Sequence, residues 1–310
     1  MSSPRLSVVM PTHNALPFVD ESIQSILRQT LDDFEFIILD DASSDGTANA
    51  LQSWASKDRR IRIISSEQKL GLTGSSNMVV NAAATSIIAR MDADDVSHPA
   101  RLETQFKILA SQPEVAAVGC LFEGIDASGQ TVRPRDRWRL LRRSPFIPFP
   151  HGSAMFRRSA FEAINGYREL DGGEDQDFFF KMTDVGRVVT LPDVLYRFRY
   201  HSGNTTFAIS QAGIKAVTDR NGRNGANLAS LYMLGAMRLW AGQPVSILPH
   251  VMAKHTLKFN VRSLMVLGSA ALGAASPGLL KFSLRSLIRS RDFLAGLRVK
   301  DGRAYEWRLK

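Results

Sequence analysis

Phe34-Glu35-Phe36-Ile37-Ile38-Leu39-Asp40-Asp41 decides the fold. A short run this apolar, stopped by two acids, reads as a strand buried on both faces. Upstream, Leu6–Met10 is a similar run ended by Pro11, and Phe18–Arg28 between them has helical spacing at Phe18, Ile23, Ile26 and Leu27. Downstream the alternation continues. Thr47–Ser56 reads as helix, Ile61–Ile64 as strand, Ser75–Ala84 as helix and Ser86–Met91 as a strand ended by Asp92. Pro99–Leu109 (helix) and Val115–Leu121 (strand) complete the series. Apolar strands alternating with amphipathic helices predict an α/β protein, a mostly parallel sheet covered on both faces. Crossovers are right-handed in such sheets, and ligands bind outside the carboxyl ends of the strands. The polar residues collect at those ends: Thr12-His13-Asn14, Asp40-Asp41 and Asp92 to Asp95.

Beyond residue 125 the pattern loosens. Pro145–Pro150 is a break, and Gly152–Phe156 reads as a strand. Asp175–Met182 reads as a helix start, and Val188–Leu191 and Val194–His201 as two strands. From about Thr206 helical spacing and basic residues dominate. The expected organisation is an α/β domain over 1–205, whose pattern changes near residue 125, and a helical basic region over 206–310.

The charge follows that division. Of the formal net +9, residues 201–310 carry 16 Lys+Arg against 4 Asp+Glu. A basic tail on a nearly neutral body points to an acidic partner, anionic lipid or nucleic acid. Within Leu279–Arg298, Leu280, Leu284, Leu287, Ile288 and Leu294 fall on one helical side, and Lys281, Arg285 and Arg289 on another. That is the pattern of an interfacial helix, or equally of a helix packed on its own domain. The single cysteine, Cys120, suits a reducing compartment. The N-terminus has no signal-peptide pattern, and the weakly charged stretch from Ser263 to Leu280 is read as non-spanning. The expected location is cytoplasmic, with peripheral contact at the inner face of the membrane.

Three segments carry chemistry. Met91-Asp92-Ala93-Asp94-Asp95 places three carboxylates directly after a buried strand. Uncompensated, they raise one another's pKa, and a divalent cation relieves this; oxygen ligands suit Mg²⁺ or Mn²⁺. The plainer reading is a solvated acidic turn before the helix at Pro99. Asp40-Asp41-Ala42-Ser43-Ser44-Asp45-Gly46-Thr47 again ends a strand in acids, which can accept hydrogen bonds from a base or ribose. Asp45 or Ser44 is expected to cap the helix at Thr47. Gly172-Gly173-Glu174-Asp175 opens a helix with two acids, favoured by the helix dipole or held as a general base.

Together, these segments and Ser7-Val8-Val9-Met10-Pro11-Thr12-His13-Asn14 resemble glycosyltransferase family 2, whose members have the GT-A fold. The resemblance covers roughly residues 5–205 and implies that 1–205 is a catalytic domain with a nucleotide-sugar-binding half (1–125) and an acceptor-binding half (126–205). It implies an inverting, metal-dependent transfer of a hexosyl-type sugar from a nucleotide-diphosphate sugar, a UDP-sugar foremost, to an acceptor hydroxyl. The setting it implies is cell-surface polysaccharide or glycolipid synthesis, with a saccharide or lipid-linked acceptor.

By the same resemblance Asp41, with Pro11, Thr12 and Asn14, binds the donor nucleoside. Asp92 and Asp94 form the Asp-x-Asp motif, with Asp94 and His201 at the Mn²⁺ or Mg²⁺. Asp175, beside Glu174, is the general base, and His151 lines the acceptor side. His13 departs from the family, which commonly has Tyr or Phe there. Trp138 lacks the Gln-x-x-Arg-Trp setting of processive members, which implies addition of one or a few sugars. Two other readings compete. A nucleotidyltransferase usually has a Gly-rich, basic loop after the first strand, and Pro11–Ala15 has neither feature. A basic nucleic-acid-binding module needs basic residues interleaved with aromatics and leaves the acidic cluster unexplained; no nucleic acid is expected.

Overall fold

The computed structural model describes residues 3–131, 149–170, 173–201, 203–204, 297–300 and 304–307. Its elements, in chain order, are β1 (Leu6–Thr12), α1 (Val19–Leu27), β2 (Phe34–Asp41), α2 (Thr47–Lys57), β3 (Ile61–Ser66), α3 (Gly71–Asn81), β4 (Ile87–Arg90), β5 (Val96–Ser97), α4 (Arg101–Ser111) and β6 (Val115–Ile125). A 3₁₀ turn at His151–Ser153 leads into β7 (Met155–Arg157), α5 (Arg158–Ala163), α6 (Glu174–Val185) and β8 (Arg187–Arg199). The stretches Leu297–Lys300 and Ala304–Trp307 are β9 and β10.

One sheet holds the strands in the order β3-β2-β1-β4-β7-β6-β8-β10-β9, with β5 paired to β8. β3, β2, β1 and β4 are mutually parallel, and β6 is parallel to β8. β7 runs antiparallel between β4 and β6. Side-chain alternation divides the core into two layers. Val8, Met10, Phe36, Ile38 and Ala89 pack with Val19, Ile23 and Ile26 of α1, Leu51 of α2 and Leu102 of α4. Val9, Ile37, Leu39 and Ile88 face Val79 and Val80 of α3, Phe161 of α5, and Phe178, Phe179 and Met182 of α6. Each such side chain contributes about 1.5–3 kcal/mol when fully buried.

The expected α/β class and mostly parallel sheet are observed, and four details differ. First, α3 begins at Gly71, earlier than Ser75, because Asp41 on β2 caps it from across the sheet. Second, Gly152–Phe156 is not one strand but the 3₁₀ turn followed by β7. Third, the two strands expected over 188–201 are one, β8. Leu191 lies opposite Cys120 and Val194 opposite Leu121, so Pro192 and Asp193 bulge between them. A bulge accommodates a residue that has no N–H for the ladder. Fourth, Leu297–Lys300 and Ala304–Trp307 are strands where helix was expected, and β10 pairs with β8. Leu297 and Arg298, the last residues of the expected interfacial helix, therefore belong to β9. The rest of that helix, Ser263–Leu280, Trp138 and the 206–296 region lie outside the described residues. Among the described residues no helix is long and apolar enough to cross a membrane.

Candidate functional site

The carboxyl ends of β1 and β2 meet through side-chain-to-backbone bonds. Asn14, held at φ 48°, accepts the Ser44 N–H on its side-chain oxygen at 2.8 Å, while its own N–H donates to Ser43 Oγ at 2.9 Å. Asp45 accepts the Thr47 N–H at 3.0 Å, as expected of a cap, and also the Leu16 N–H at 3.1 Å. Asp40 accepts the Ser43 N–H at 3.3 Å. Asp41 is buried, and its two oxygens take the Leu70 N–H at 2.6 Å and the Gly71 N–H at 3.0 Å. Asp41 thus holds the β3–α3 loop against the ends of β1 and β2. His13 donates from Nδ1 to the Asp41 carbonyl at 2.7 Å, and its Nε2 accepts from Lys69 Nζ at 2.9 Å. Pro11 and Thr12 are buried at the end of β1, beneath this rim.

The acidic turn after β4 is built differently. Arg90 and Arg101 have fully buried side chains. Arg90 binds Ser76 Oγ at 3.0 Å and Asp92 Oδ1 at 2.9 Å. Arg101 has no carboxylate partner among the described residues. It donates to Ser97 Oγ at 2.7 Å, the Arg90 carbonyl at 3.1 Å and the Gly152 carbonyl at 3.3 Å, with its cation 5.5 Å from the centre of the Tyr196 ring. Burial lowers its pKa from the ordinary arginine value. Gly152 is required here: a Cβ would collide with the Tyr196 hydroxyl and the Asp92 carboxylate.

The carboxylates of the turn share a strained electrostatic setting. Burial raises the Asp92 pKa, with Asp94 and Asp175 adding to the rise and Arg90 opposing it. Asp95 is raised well above the usual range by burial and then by Asp94 and Asp92. Asp94 Oδ2 lies 2.9 Å from His201 Nε2 and 3.2 Å from Asn204 Nδ2. Asp94 and His201, more than a hundred residues apart in sequence, therefore meet. Among the described residues no three His, Cys, Asp or Glu side chains form a ready-made metal cage.

Glu174 and Asp175 open α6 beside this turn. Gly173, at φ 80°, provides the left-handed residue that starts the helix. Burial and then the Asp175 charge push Glu174 up to about 7, and Asp92 and Arg90 both act on it. The acids expected to serve as base and as cation holder are close enough to perturb one another. His151 is set among aromatics. Its Nε2 lies 2.7 Å from the Tyr167 hydroxyl, and its ring centre 5.8 Å from that of Phe179. Burial and the Arg90 charge hold its pKa well below the usual histidine value, so it is neutral. Arg90, Arg101, Arg199, Ser22, Asn204 and Lys69 escaped the sequence reading. The only available signal was an arginine inside an otherwise apolar strand, Ile87-Ile88-Ala89-Arg90.

The profile described as Glycosyl transferase family 2 matches residues 7–165, half of the chain, and spans both the rim and the acidic turn. The chain belongs to glycosyl transferase family 2. This family-2 protein is 33% identical over 211 residues to EpsE of Bacillus subtilis (strain 168), named as a glycosyltransferase, covering 65% of this chain and 75% of that one. It is 31% identical over 209 residues to the O-antigen biosynthesis glycosyltransferase WbnJ of Escherichia coli, covering 64% and 81%. In fold it is similar to the mannosyltransferase PcManGT from Pyrobaculum calidifontis, solved with GDP-Man and Mn²⁺, at TM-score 0.63, 23% identity and coverage of 93% and 85%. It is also similar to TarS 1-349 of S. aureus in complex with UDP-GlcNAc, at TM-score 0.55, 15% identity and coverage of 97% and 95%. The protein is a glycosyltransferase of the GT-A architecture.

Proposed function

We propose that this family-2 enzyme transfers a hexosyl-type sugar, with inversion, from a nucleotide-diphosphate sugar to an acceptor hydroxyl. Transfer is non-processive and serves cell-surface polysaccharide or glycolipid synthesis. A UDP-sugar is the first donor to try, by family resemblance; the neighbours solved with GDP-Man and with UDP-GlcNAc show that the fold accepts either base. The observation that carries the reading is the convergence of the Asp92–Asp94 turn, His201 and the Glu174–Asp175 helix start.

Pro11, Thr12, Asn14 and Asp41 line the nucleoside side. Asp41 acts there chiefly by fixing the Leu70–Gly71 loop, since both its oxygens already accept N–H groups. A divalent cation fits the turn. Asp92 and Asp95 are held above their ordinary pKa by burial and then by the neighbouring carboxylates; a cation relieves that crowding of charge, and oxygen ligands suit Mn²⁺ or Mg²⁺. Asp94, with Asp92 and His201, would hold it; when bound it offsets charge on the leaving diphosphate. Asp175 takes the proton of the attacking hydroxyl, with Glu174 half-buried at its side. Neutral His151 and Tyr167 form the wall on the acceptor side. Positioning of two substrates supplies several kcal/mol, up to about 7–11 in model systems. Residues 1–205 together with β9 and β10 form the catalytic domain, and the basic region between them touches an anionic membrane surface.

The test is a panel of nucleotide sugars with the purified protein in Mn²⁺ and in EDTA, following release of nucleoside diphosphate. One donor turned over in Mn²⁺ and not in EDTA supports the reading. Full turnover in EDTA removes the cation from it, and UDP-, GDP- and dTDP-sugars hydrolysed alike remove base selection from the Asp41 rim.

A further inference from the structure

The main-chain oxygens of the acidic turn are held by side chains from distant elements. The Ser22 hydroxyl of α1 is shared between the Ala93 carbonyl at 2.8 Å and the Asp95 carbonyl at 2.6 Å. The Asp94 carbonyl accepts from Arg199 Nε at 2.7 Å. Arg199 is 1% exposed, and its remaining donors are also engaged. Nη1 reaches the Asp126 carbonyl at 3.2 Å, Nη2 pairs with Glu21 of α1, and the backbone N–H donates to Asp95 Oδ1 at 2.7 Å. Its guanidinium lies 4.9 Å from the centre of the Phe18 ring, which in turn packs 4.7 Å from the His201 ring.

Arg199 therefore holds the backbone of Asp94, and the segment it starts returns two residues later to hold the Asp94 carboxylate. His201 and Asn204 both contact Oδ2. One short stretch at the end of β8 fixes the main chain and the side chain of the same acid. Fork geometry matters, because a lysine ammonium cannot meet the Asp94 carbonyl, the Asp126 carbonyl and Glu21 together.

We propose that Arg199 is a positioning residue for Asp94: by clamping the Asp94 carbonyl it aims the Oδ2 carboxylate, and it governs divalent-cation affinity without contacting cation or donor. The inference rests on Asp94 as a cation ligand. Outer groups that orient a ligand typically change metal affinity by about 10–100-fold when lost.

The experiment measures Mn²⁺ binding to the full chain by electron paramagnetic resonance of free Mn²⁺ in the presence of UDP. UDP binding without metal is followed in parallel by calorimetry. Arg199→Lys is expected to raise the Mn²⁺ dissociation constant by about 10–100-fold and to leave metal-free UDP affinity and cooperative unfolding unchanged. Glu21→Gln, which breaks the outer ion pair and spares the Asp94 carbonyl bond, is expected to leave Mn²⁺ binding unchanged. Equal losses in both variants mean a general clamp and overturn the proposal, as does wild-type Mn²⁺ affinity in Arg199→Lys. Should Arg199→Lys fail to fold, Arg199→Gln, shorter and uncharged, takes its place: weakened Mn²⁺ binding at unchanged metal-free UDP affinity supports the clamp, and wild-type Mn²⁺ affinity overturns it. A wild-type protein that binds no Mn²⁺ with UDP overturns the cation reading itself, whatever the variants do.

Discussion

The rim at the ends of β1 and β2 and the acidic turn after β4 stand at the ends of neighbouring strands, yet their backbones are held with opposite polarity. On the rim, oxygen-bearing side chains grip backbone N–H groups: Asp41 takes Leu70 and Gly71, Asp45 takes Leu16 and Thr47, and Asn14 takes Ser44. At the turn, donor side chains grip carbonyls: Arg101 takes Arg90, Ser22 takes Ala93 and Asp95, and Arg199 takes Asp94. The rim acids are thereby committed to the fold. Of the turn acids, Asp95 accepts the Arg199 N–H and is committed likewise, whereas Asp92 and Asp94 bond to side chains, so their charge is available for chemistry. Counting carboxylates at strand ends does not separate the two cases; asking what the backbone beside them bonds to does.

The sharpest way to break this contrast is Asp94→Asn. It leaves every carbonyl bond of the turn in place, so cooperative unfolding should persist. Steady-state turnover should fall by at least about 10³-fold, the loss of several kcal/mol of charge stabilisation. Asp175→Asn should follow, with transfer reduced by about 10²–10⁴-fold at retained donor affinity, read by single-turnover kinetics beside calorimetry. Unchanged turnover of bound donor would make Asp175 a binding group. Glu174→Gln should be milder than either.

Stability sharpens the contrast further. Arg101→Met leaves two buried carbonyls without their donor, at about 1–3 kcal/mol each by thermal or urea unfolding. Asp41→Asn keeps an oxygen for one of the two N–H groups and should cost about 1 kcal/mol, the scale of a lost cap. Equal costs would abolish the distinction between the two regions.

The most gradual effect is a pH slope. Glu174 has its carboxyl raised from the ordinary 4.5 to about 7 in the fold. The folded state then binds that proton more tightly than the unfolded state. Its contribution is undiminished below the unfolded value, declines as pH rises from there to about 7, and then levels off. Urea midpoints across this window should drop gradually, and Glu174→Gln should flatten the drop.

Much of the fold was legible because fully apolar strands leave few alternatives. Leu6–Met10, Phe34–Leu39 and Val115–Leu121 stand where expected, each a few residues longer in the structure. The start of α3 was not legible, since its cap comes from Asp41, 30 residues before Gly71. β5 has only two residues, below any periodic signal. In the site, Asp94 and His201 were paired by resemblance, and the structure brings them together. The arginines were illegible for a physical reason. A single arginine reads as surface charge because buried ones are rare unless paired, and Arg101 is buried against carbonyls, which carry no sequence signature.

Met155–Arg157 has three residues and fills the slot between β4 and β6 at the middle of the sheet. Both neighbours are complete by residue 125. On a ribosome making about 5–20 residues per second, the emerging chain therefore carries raw strand edges at its centre for some seconds. Such edges recruit foreign strands as readily as their own. A mutation that slows delivery of residues 149–157 should show itself as aggregation during synthesis, even where the finished enzyme is as stable as before. The strand that closes the slot also brings Gly152 against Asp92, well before β8 arrives to cover β6 and to complete the acidic turn through Arg199 and His201.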